Sequence, residues 1–331
     1  MRDVGERAGV SFKTVSRVVN GEGAVSAAVR ERVQAAIDEL GYRPDPAAST
    51  LRRADGRTNT IAVIVDDLAN PFAATVHRAV VDTMRERGIL VLSAATDEDP
   101  SREQEAFRAF VDRRIDGLIL MPTSVGHAWL ADVRGPEIPV VMVDRPAVGF
   151  ATDAVLSYHR PTAARATTHL IRRGHRRIAV LTEGLDVQTA RERLSGYEDA
   201  LAAAGVAVDR ALVRSGVRDQ AQAEAATVEL LSAPHPPTAV LGGYNRATVG
   251  AIRGLRRLEL QRSVALIGFD DVELADLLEP AITVIAQDAV AVGRGAADQL
   301  LGRLAGDTRA PQTRVIPTRL IPRGSGEIPA P

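Results

Sequence analysis

The stretch Ala8-Gly9-Val10-Ser11-Phe12-Lys13-Thr14-Val15-Ser16-Arg17-Val18-Val19-Asn20 decides the organisation of the N-terminal region. Gly9 is suited to end a first helix over Arg2–Ala8, because glycine commonly follows the last helical residue. Ser11 can cap a second helix over Phe12–Val19. A helix, a tight turn containing glycine and a second helix are the pattern of a helix-turn-helix.

A third helix is expected after Asn20-Gly21-Glu22-Gly23, which has the composition of a turn. Ser26 can cap this helix and Gly41 can end it. Its expected apolar stripe consists of Val29, Val33, Ile37 and Leu40. The sequence therefore predicts a small helical domain over residues 1–41.

The charge of the chain is nearly balanced, with a net charge of −1. Residues 1–57 carry ten Lys/Arg and eight Asp/Glu, a net of +2, which leaves −3 for the remainder. A basic head on an acidic body is compatible with DNA binding without establishing it. Lys13 is the only lysine among 41 basic residues, and its place in the second helix makes it a candidate for contact with DNA.

Length and composition indicate a globular protein of two or three domains, with 331 residues, of which 45% are hydrophobic and 25% are charged. No apolar run approaches the ~18 residues that a membrane helix needs. The first residues contain no apolar signal segment, so we expect a cytoplasmic protein that is not exported. The absence of cysteine excludes disulfides and thiolate metal sites.

Residues 42–57 predict a linker that contains one or two helical turns. Asp45 followed by Pro46 is suited to begin a helix, which would continue over Ala47–Arg53. A helix this short is not stable alone in water. We therefore expect a hinge that is ordered only by binding.

From Thr60 onward, short β-rich runs alternate with amphipathic helices, which predicts parallel sheets with right-handed crossovers. The predicted strands are Ile61–Val65, Ile89–Ser93, Gly117–Met121, Val140–Val143, Ile178–Thr182, Ala239–Leu241, Val264–Gly268 and Ile282–Ile285. The helices predicted between them include Phe72–Arg87, Arg102–Arg113, Thr189–Ala204 and Ala289–Ala305.

Polar and aromatic side chains follow several of these strands or begin the next helix, and parallel sheets bind ligands at the carboxyl ends of their strands. The candidates are Asn70, Phe72, Asp144, Arg145, Arg193, Tyr244, Asn245, Asp270 and Gln287. Side chains of these types hold polyols and heterocycles. Phe72 and Asn70 also fit a core residue and a helix cap, and this alternative stays open.

The chain resembles the lac-repressor-like family of bacterial regulators over nearly its whole length. The most specific stretches are Asp3-Val4 through Asn20, Val25-Ser26 and Gly41-Tyr42-Arg43-Pro44. Weaker matches follow in the order of the family. They are Ala69-Asn70-Pro71-Phe72, Pro139–Arg145, Arg193 before Gly196-Tyr197, Gly268-Phe269-Asp270-Asp271 and Pro317–Gly324.

The resemblance implies an all-α helix-turn-helix headpiece (1–41), a hinge helix and linker (42–57) and an α/β core (58–331) that binds a ligand and dimerises. The core would be like a periplasmic sugar-binding protein, with two doubly wound parallel-sheet subdomains. The N-subdomain would span about 58–157 and 288–316, and the C-subdomain about 158–287 and 317–325. A homodimer on a pseudo-palindromic operator in double-stranded DNA is implied, with no cofactor and no bound metal.

The resemblance also implies roles for residues of the headpiece. Phe12, Lys13 and Arg17 would face base edges in the major groove, where Arg and Lys donate to guanine. Contacts to phosphate would come from Ser11, Thr14, Ser16, Asn20 and Ser26. Leu51 would be a wedge in the minor groove. The alternatives are a solvated surface lysine for Lys13 and interdomain packing for Leu51.

The effector contacts implied by the resemblance are Phe72, Asp144, Arg193, Tyr244 and Asp270, with Asn70, Arg145, Asn245 and Gln287 nearby. Arg193 and Asp270 could clamp one ligand as donor and acceptor, and the alternative for them is an ion pair between strands. Tyr244-Asn245 stands where the family usually has Asn-Asp. This change removes a carboxylate and adds an aromatic ring.

Two departures concern the stability of the first helix. The chain lacks the usual Ser or Thr cap before Asp3, whose absence costs ~1 kcal/mol. Gly5 stands in place of a usual alanine, at a further cost of ~1 kcal/mol. A headpiece of marginal stability in the absence of DNA, or a start upstream of Met1, would follow.

Together these features predict a sequence-specific DNA-binding transcription regulator, expected to be a repressor, whose operator affinity is controlled allosterically by a small polar effector. Carbohydrate is the expected effector class by resemblance alone, and the choice between inducer and corepressor stays open. A solute-binding protein shares the core, but residues 1–57 argue against it. An enzyme is not expected, because the sequence contains no nucleophile–base signature, zinc motif or phosphate-binding loop.

Overall fold

The computed structural model describes residues 1–19, 25–42, 57–123, 126–134 and 138–331. The chain divides into two compact units, Met1–Thr58 and Asn59–Pro331. Asn20, the turn that it begins, the predicted helix over Ala47–Arg53 and Leu51 lie outside the described residues. Within the described ranges, no helix is long and apolar enough to cross a membrane.

The N-terminal unit contains helices α1 (Arg2–Ala8), α2 (Phe12–Val19) and α3 (Ala27–Leu40). Gly9 and Gly41 end α1 and α3 in the left-handed conformation, with φ of 64° and 58°, as expected for glycine at these positions. Ser11 caps α2, because its Oγ accepts a 3.2 Å hydrogen bond from the Thr14 backbone N–H. Ser26 is the N-cap residue of α3, as expected. The expected capping hydrogen bond is absent, because its side chain accepts none.

The apolar core of this unit joins the three helices through Val4, Val15, Val18, Val33 and Ala36, with Val29 and Ile37 packed against them. Leu40 is 46% exposed, so the apolar stripe of α3 ends earlier than predicted. Gly5 is buried in α1, and a Cβ at this position would lie 3.0 Å from the carbonyl oxygen of Val10. Close approach of α1 to the next loop therefore explains the glycine, despite its cost in helix propensity.

The C-terminal unit contains two sheets of six strands each within the described residues. In the first sheet, every neighbouring pair is parallel and the order is β11-β5-β4-β3-β1-β2. Its strands are β1 (Thr60–Val65), β2 (Leu90–Ala95), β3 (Gly117–Leu120), β4 (Val140–Asp144), β5 (Asp153–Ser157) and β11 (Thr313–Ile316).

The second sheet has the order β12-β10-β9-β8-β6-β7, and it is parallel except for β12, which runs antiparallel to β10. Its strands are β6 (Ile178–Leu181), β7 (Val213–Arg214), β8 (Ala239–Gly242), β9 (Ala265–Phe269), β10 (Thr283–Ala286) and β12 (Arg319–Ile321). The predicted fold class, two doubly wound parallel sheets behind a helical headpiece, is confirmed.

Helices cover both sheets, and they are α4 (Pro71–Arg85), α5 (Pro100–Asp112), α6 (Trp129–Arg134), α7 (His159–Arg172), α8 (Gln188–Ala203), α9 (Gln220–Leu231), α10 (Asn245–Arg257) and α11 (Ala289–Leu304). Strands β3, β4, β6, β8 and β9 are buried along their whole length, as expected for parallel strands covered on both faces. The continuous Val, Ile and Leu runs of the sequence follow from this burial.

The chain passes between the two sheets three times: after β5, after β10 and between β11 and β12. We call the part built on the first sheet the first lobe and the part built on the second sheet the second lobe. Helix α11 returns to the first lobe and packs closely on α4, since a Cβ at Gly293 would lie 2.5 Å from the Val76 carbonyl oxygen. The first lobe is thus completed by residues distant in sequence.

Candidate functional site

Helix α2 presents the candidate DNA-contacting side chains on one side and its core residues on the other. Phe12 is 52% exposed and Lys13 is also exposed, whereas Val15 and Val18 are buried. Thr14, Ser16 and Arg17 are partly exposed, and Ser11 shares a 2.9 Å hydrogen bond between its Oγ and Thr14 Oγ1. The exposed side of α2 thus combines an aromatic ring, two cationic side chains and hydroxyls, which is the composition of a surface that reads DNA.

A cavity of about 480 Å³ lies between the two lobes, among residues that follow the carboxyl ends of strands. The first lobe contributes Asp66, Asp67, Asn70, Asp97 and Glu98 to its lining. The second lobe contributes Glu183, Gly184, Asp186, Val187, Gly216, Val217, Arg218, Tyr244 and Arg246. Six of these side chains are carboxylates and two are guanidinium groups, so the lining is predominantly acidic.

Two contacts join the lobes beside this cavity. Asn70 caps α4 by accepting a 3.1 Å hydrogen bond from the Phe72 backbone N–H, and its Oδ1 also accepts a 2.7 Å bond from Asn245 Nδ2. Arg246 forms an ion pair with Asp67. The structure thus supports the cap interpretation of Asn70 and adds a link between the lobes that the sequence did not indicate.

Tyr244 lines the cavity in a fixed orientation, because its hydroxyl donates a 2.8 Å hydrogen bond to the Val217 carbonyl oxygen. Burial raises the pKa of this phenol above its usual range. Because this hydrogen bond fixes the neutral ring of Tyr244, the ring offers a flat apolar surface to a ligand.

Arg145 is buried and held by an internal carboxylate. Its guanidinium donates to the two carboxylate oxygens of Glu98, over 3.0 and 2.5 Å, and to the Pro122 carbonyl oxygen over 2.9 Å. Burial opposes the charged form, but the hydrogen bonds and charge of Glu98 raise the pKa of Arg145 well above its ordinary value. Most donors of Arg145 are therefore engaged within the first lobe.

Arg193 is buried in the second lobe at the start of α8. It lies 4.3 Å from the centroid of the Phe269 ring, and its Nη1 donates to the Gly243 carbonyl oxygen over 3.0 Å. Its Nε donates to His159 Nδ1 over 3.3 Å. Burial and the charge of Arg193 lower the pKa of His159 to about 3, so this imidazole is neutral and its Nε2, 3.6 Å from Asp144 Oδ1, carries a proton.

Asp270 accepts a 2.8 Å hydrogen bond from Gln287 Nε2, and burial raises the pKa of its carboxyl. Asp144 and Asp270 both have left-handed backbones, with φ of 68° and 62°. Such backbones are uncommon outside glycine and concentrate at functional sites. Among the described residues, no ion pair joins Arg193 to Asp270, so the alternative of an ion pair between strands is not observed.

Five of the nine predicted effector residues line one of two openings. Asn70 and Tyr244 line the cavity described above. Phe72, Asp270 and Gln287 line a separate groove of about 330 Å³ beside the crossing strands. The remaining residues line neither opening, and they are Asp144, Arg145, Arg193 and Asn245.

The sequence analysis did not name several residues of the site as candidates, including Asp66, Asp67 and Arg246, and three further examples show the reason. Glu183 comes two residues after β6, so the search of strand ends could have found it. Glu98 lies in an acidic run after the edge strand β2, where its sequence context resembles a solvated loop. His159 begins α7 just after a crossover between lobes, and no sequence signal marks it. No group of three or more potential metal ligands occurs in the part of the chain that the structure describes.

Comparison with known proteins assigns the family. Residues 1–45 match bacterial regulatory proteins of the lacI family, and residues 167–326 match a periplasmic binding protein-like domain. The ribose operon repressor of Escherichia coli (strain K12) is 34% identical over 98% of this chain and 99% of its own length. The HTH-type transcriptional repressor CytR of the same strain is 31% identical over 98% of this chain and 95% of its own length.

Solved structures agree with this assignment. The transcriptional regulator CelR in complex with cellobiose is 33% identical with a TM-score of 0.72, and the lac repressor dimer bound to operator and the anti-inducer ONPF is 26% identical with a TM-score of 0.85. Each comparison covers 98% of this chain and 98% of the other chain. This chain therefore belongs to the lacI family of bacterial regulatory proteins.

Proposed function

We propose that the protein is a transcription repressor that binds operator DNA as a homodimer and responds to a small polar effector, with a sugar as the expected class. The observation that carries the proposal is the exposed side of α2, where the only lysine of the chain lies beside an exposed Phe12 on a family-typical helix-turn-helix. Two relatives are named as the ribose operon repressor and the HTH-type transcriptional repressor CytR, which supports this proposal.

Residues 1–41 would be the DNA-binding headpiece, 42–57 the hinge, and 58–331 the core that binds effector and dimerises. Phe12, Lys13 and Arg17 would contact bases, and Ser11, Thr14, Ser16, Asn20 and Ser26 would contact phosphates. Leu51 would enter the minor groove as a wedge. A protein with this role acts on the chromosome, so we place it in the cytoplasm and assign it no catalytic activity.

The effector would bind between the lobes and shift their arrangement. A ligand changes such an equilibrium only through its different affinity for the two arrangements. The cavity is suited to this, because its lining comes from both lobes and Asn70 of the lining is hydrogen-bonded across the lobes to Asn245. Coupling to DNA then follows if the two arrangements differ in operator affinity.

The test is a titration of the full chain against DNA from upstream of its own gene, with random DNA as control, at two salt concentrations. Specific binding that weakens with salt supports the proposal. A chain that binds both DNAs equally, or neither, both without effector and in the presence of each added sugar, would contradict it. Sugars are then added to the operator complex, and a change in affinity identifies an effector and the sign of its action.

A further inference from the structure

We propose that the effector of the cavity between the lobes is a polyhydroxylated compound that carries a positive charge, such as an amino sugar, with its cation between Asp66 and Glu183. This inference rests on the proposed effector site and adds the chemical class of its ligand. The inference depends on the excess of carboxylates over arginines in the cavity lining.

Most carboxylates of the lining are already balanced by an arginine. Asp67 pairs with Arg246, Asp97 pairs with Arg102, and Glu98 is held bidentately by Arg145. Asp186 and Arg218 are exposed. Among the less exposed carboxylates of the lining, Asp66 and Glu183 therefore have no hydrogen-bonded arginine, although the charge of Arg145 acts on both and that of Arg193 acts on Glu183.

These two carboxylates are incompletely satisfied in the described part of the chain. Asp66 Oδ1 is buried without a well-formed hydrogen bond, its other oxygen accepts a long 3.3 Å bond from Asn70 Nδ2, and the Asp67 backbone N–H also acts on this carboxyl. The nearest cationic group to Glu183 is that of Arg193, at 3.7 Å between Nη1 and Oε2, and Arg193 donates to Gly243 and His159 instead. Burial raises the pKa of Asp66 to about 6 and that of Glu183 to about 7.

A third carboxylate increases the imbalance. Asp144 is 7% exposed, its Oδ1 lies 3.6 Å from His159 Nε2 without a hydrogen bond of normal length, and its Oδ2 lies 3.4 Å from Arg145 Nε, which Asp144 shares with Glu98 as a countercharge. The charge of Asp144 acts on both Asp66 and Glu183, since it contributes to the raised pKa of each. A buried acceptor without a donor is costly, so these oxygens favour a ligand that supplies N–H or O–H groups.

The positions of Asp66 and Glu183 explain how such a ligand would act on the lobes. Asp66 directly follows β1 of the first sheet, and Glu183 comes two residues after β6 of the second sheet. A cation that contacts both carboxylates would link the two lobes and offset the repulsion that Glu98 and Asp144 exert on each of them. An anionic ligand such as a sugar phosphate would meet uncompensated carboxylates and be rejected.

The experiment uses the full chain and three hexoses, glucose, galactose and mannose, each as the neutral sugar, the 2-amino-2-deoxy sugar and the 6-phosphate. Binding is measured by calorimetry near neutral pH. We expect one amino sugar to bind at least about tenfold more tightly than its neutral parent, because a charge-assisted hydrogen bond has this strength. The 6-phosphates should not bind.

A second measurement tests whether Asp66 and Glu183 are the groups that bind the cation. A cation that enters between Asp66 and Glu183 lowers their pKa values, so binding should release protons, which is detected in buffers of different ionisation enthalpy. The double variant Asp66→Asn/Glu183→Gln should lose both the preference for the amine and the proton release. The exposed Glu273→Gln is the matched control and should lose neither.

Equal or tighter binding of a neutral sugar, binding of a 6-phosphate, or no binding of any amino sugar would overturn the inference. The same samples are assayed for operator binding. A neutral sugar that changes operator affinity would overturn the inference and leave the proposed function standing. Loss of the proposed function would instead show as absence of specific operator binding by the chain both without sugar and with each of the nine compounds.

Discussion

Asn245 at the start of α10 in the second lobe donates a 2.7 Å hydrogen bond from its Nδ2 to the Oδ1 of Asn70 in the first lobe. The same oxygen of Asn70 caps α4. One atom therefore fixes the beginning of a helix and links the lobes, so substitutions on the two sides of this bond should have different costs.

Asn70→Ala should lower the free energy of unfolding by about 2 kcal/mol, from about 1 for the helix cap and about 1 for the hydrogen bond to Asn245, and it also removes the long bond to Asp66. Asn245→Ala leaves the helix cap in place and should cost about 1 kcal/mol. Urea denaturation of the full chain measures both. The exposed Thr75→Ala on α4 is the control, expected within about 0.5 kcal/mol of the parent. Equal losses for the two asparagine variants would contradict the double role of Asn70.

Glu98→Gln tests whether the internal carboxylate holds Arg145. The guanidinium is buried, so loss of the charge that faces it should destabilise the protein by about 1.5–3 kcal/mol. The control is Glu229→Gln, which breaks a 2.9 Å ion pair with Arg214 at the surface and should cost less than about 1 kcal/mol. Similar losses in the two urea denaturation curves would show that the pair of Arg145 and Glu98 acts as an ordinary surface ion pair.

Much of the fold could be predicted because the residues that specify each helix or strand are neighbours in the sequence. Strands such as β4 and β9 are runs of apolar residues, and Gly9 and Gly41 mark helix ends where a positive φ is needed. The strands that were missed are β5, β7, β11 and β12. These are short or partly exposed, and β11 and β12 are completed only by pairing with β5 and β10. Pairing over such distances leaves no periodic pattern in the sequence.

The sequence predicted several residues of the candidate site, but it did not predict which of them contact one another. The strand-end rule led to Asn70, Tyr244 and Asp270, yet it could not show that Asn70 meets Asn245 or that Gln287 meets Asp270. It also gave Arg145 as a candidate effector residue, and it could not show that Glu98 holds the guanidinium. These pairings join residues far apart in the chain, so they depend on how the two lobes meet.

Lys13→Ala tests the candidate DNA interface. If Lys13 donates to a base, its loss should weaken operator binding by about 1–3 kcal/mol and weaken binding to random DNA much less. The comparison is made by titration of the full chain with each DNA at fixed salt. Arg32→Ala removes an exposed cation from α3 and serves as the control. Equal loss on operator and random DNA would instead assign Lys13 to a phosphate or to the general charge of the surface.

The raised pKa values of Asp66 (about 6) and Glu183 (about 7) predict how stability depends on pH. A carboxyl whose pKa is higher in the folded chain than the usual unfolded value of about 4 holds its proton more strongly when folded. Its stabilising contribution is full below pH ~4 and is lost as the pH rises to about 7. The neutral forms Asp66→Asn and Glu183→Gln should therefore stabilise the unliganded chain most at pH above 7.

The measurement is the thermal unfolding of the parent and of each variant across this pH range. Both variants should flatten the decline in melting temperature with rising pH, and Glu183→Gln should act up to higher pH than Asp66→Asn because the pKa of Glu183 is higher. Glu273→Gln, at an exposed position, should leave the slope unchanged. If either cavity variant lowered stability above pH 7, its carboxylate would have a stabilising partner there, and the cavity would not carry the excess negative charge that its lining indicates.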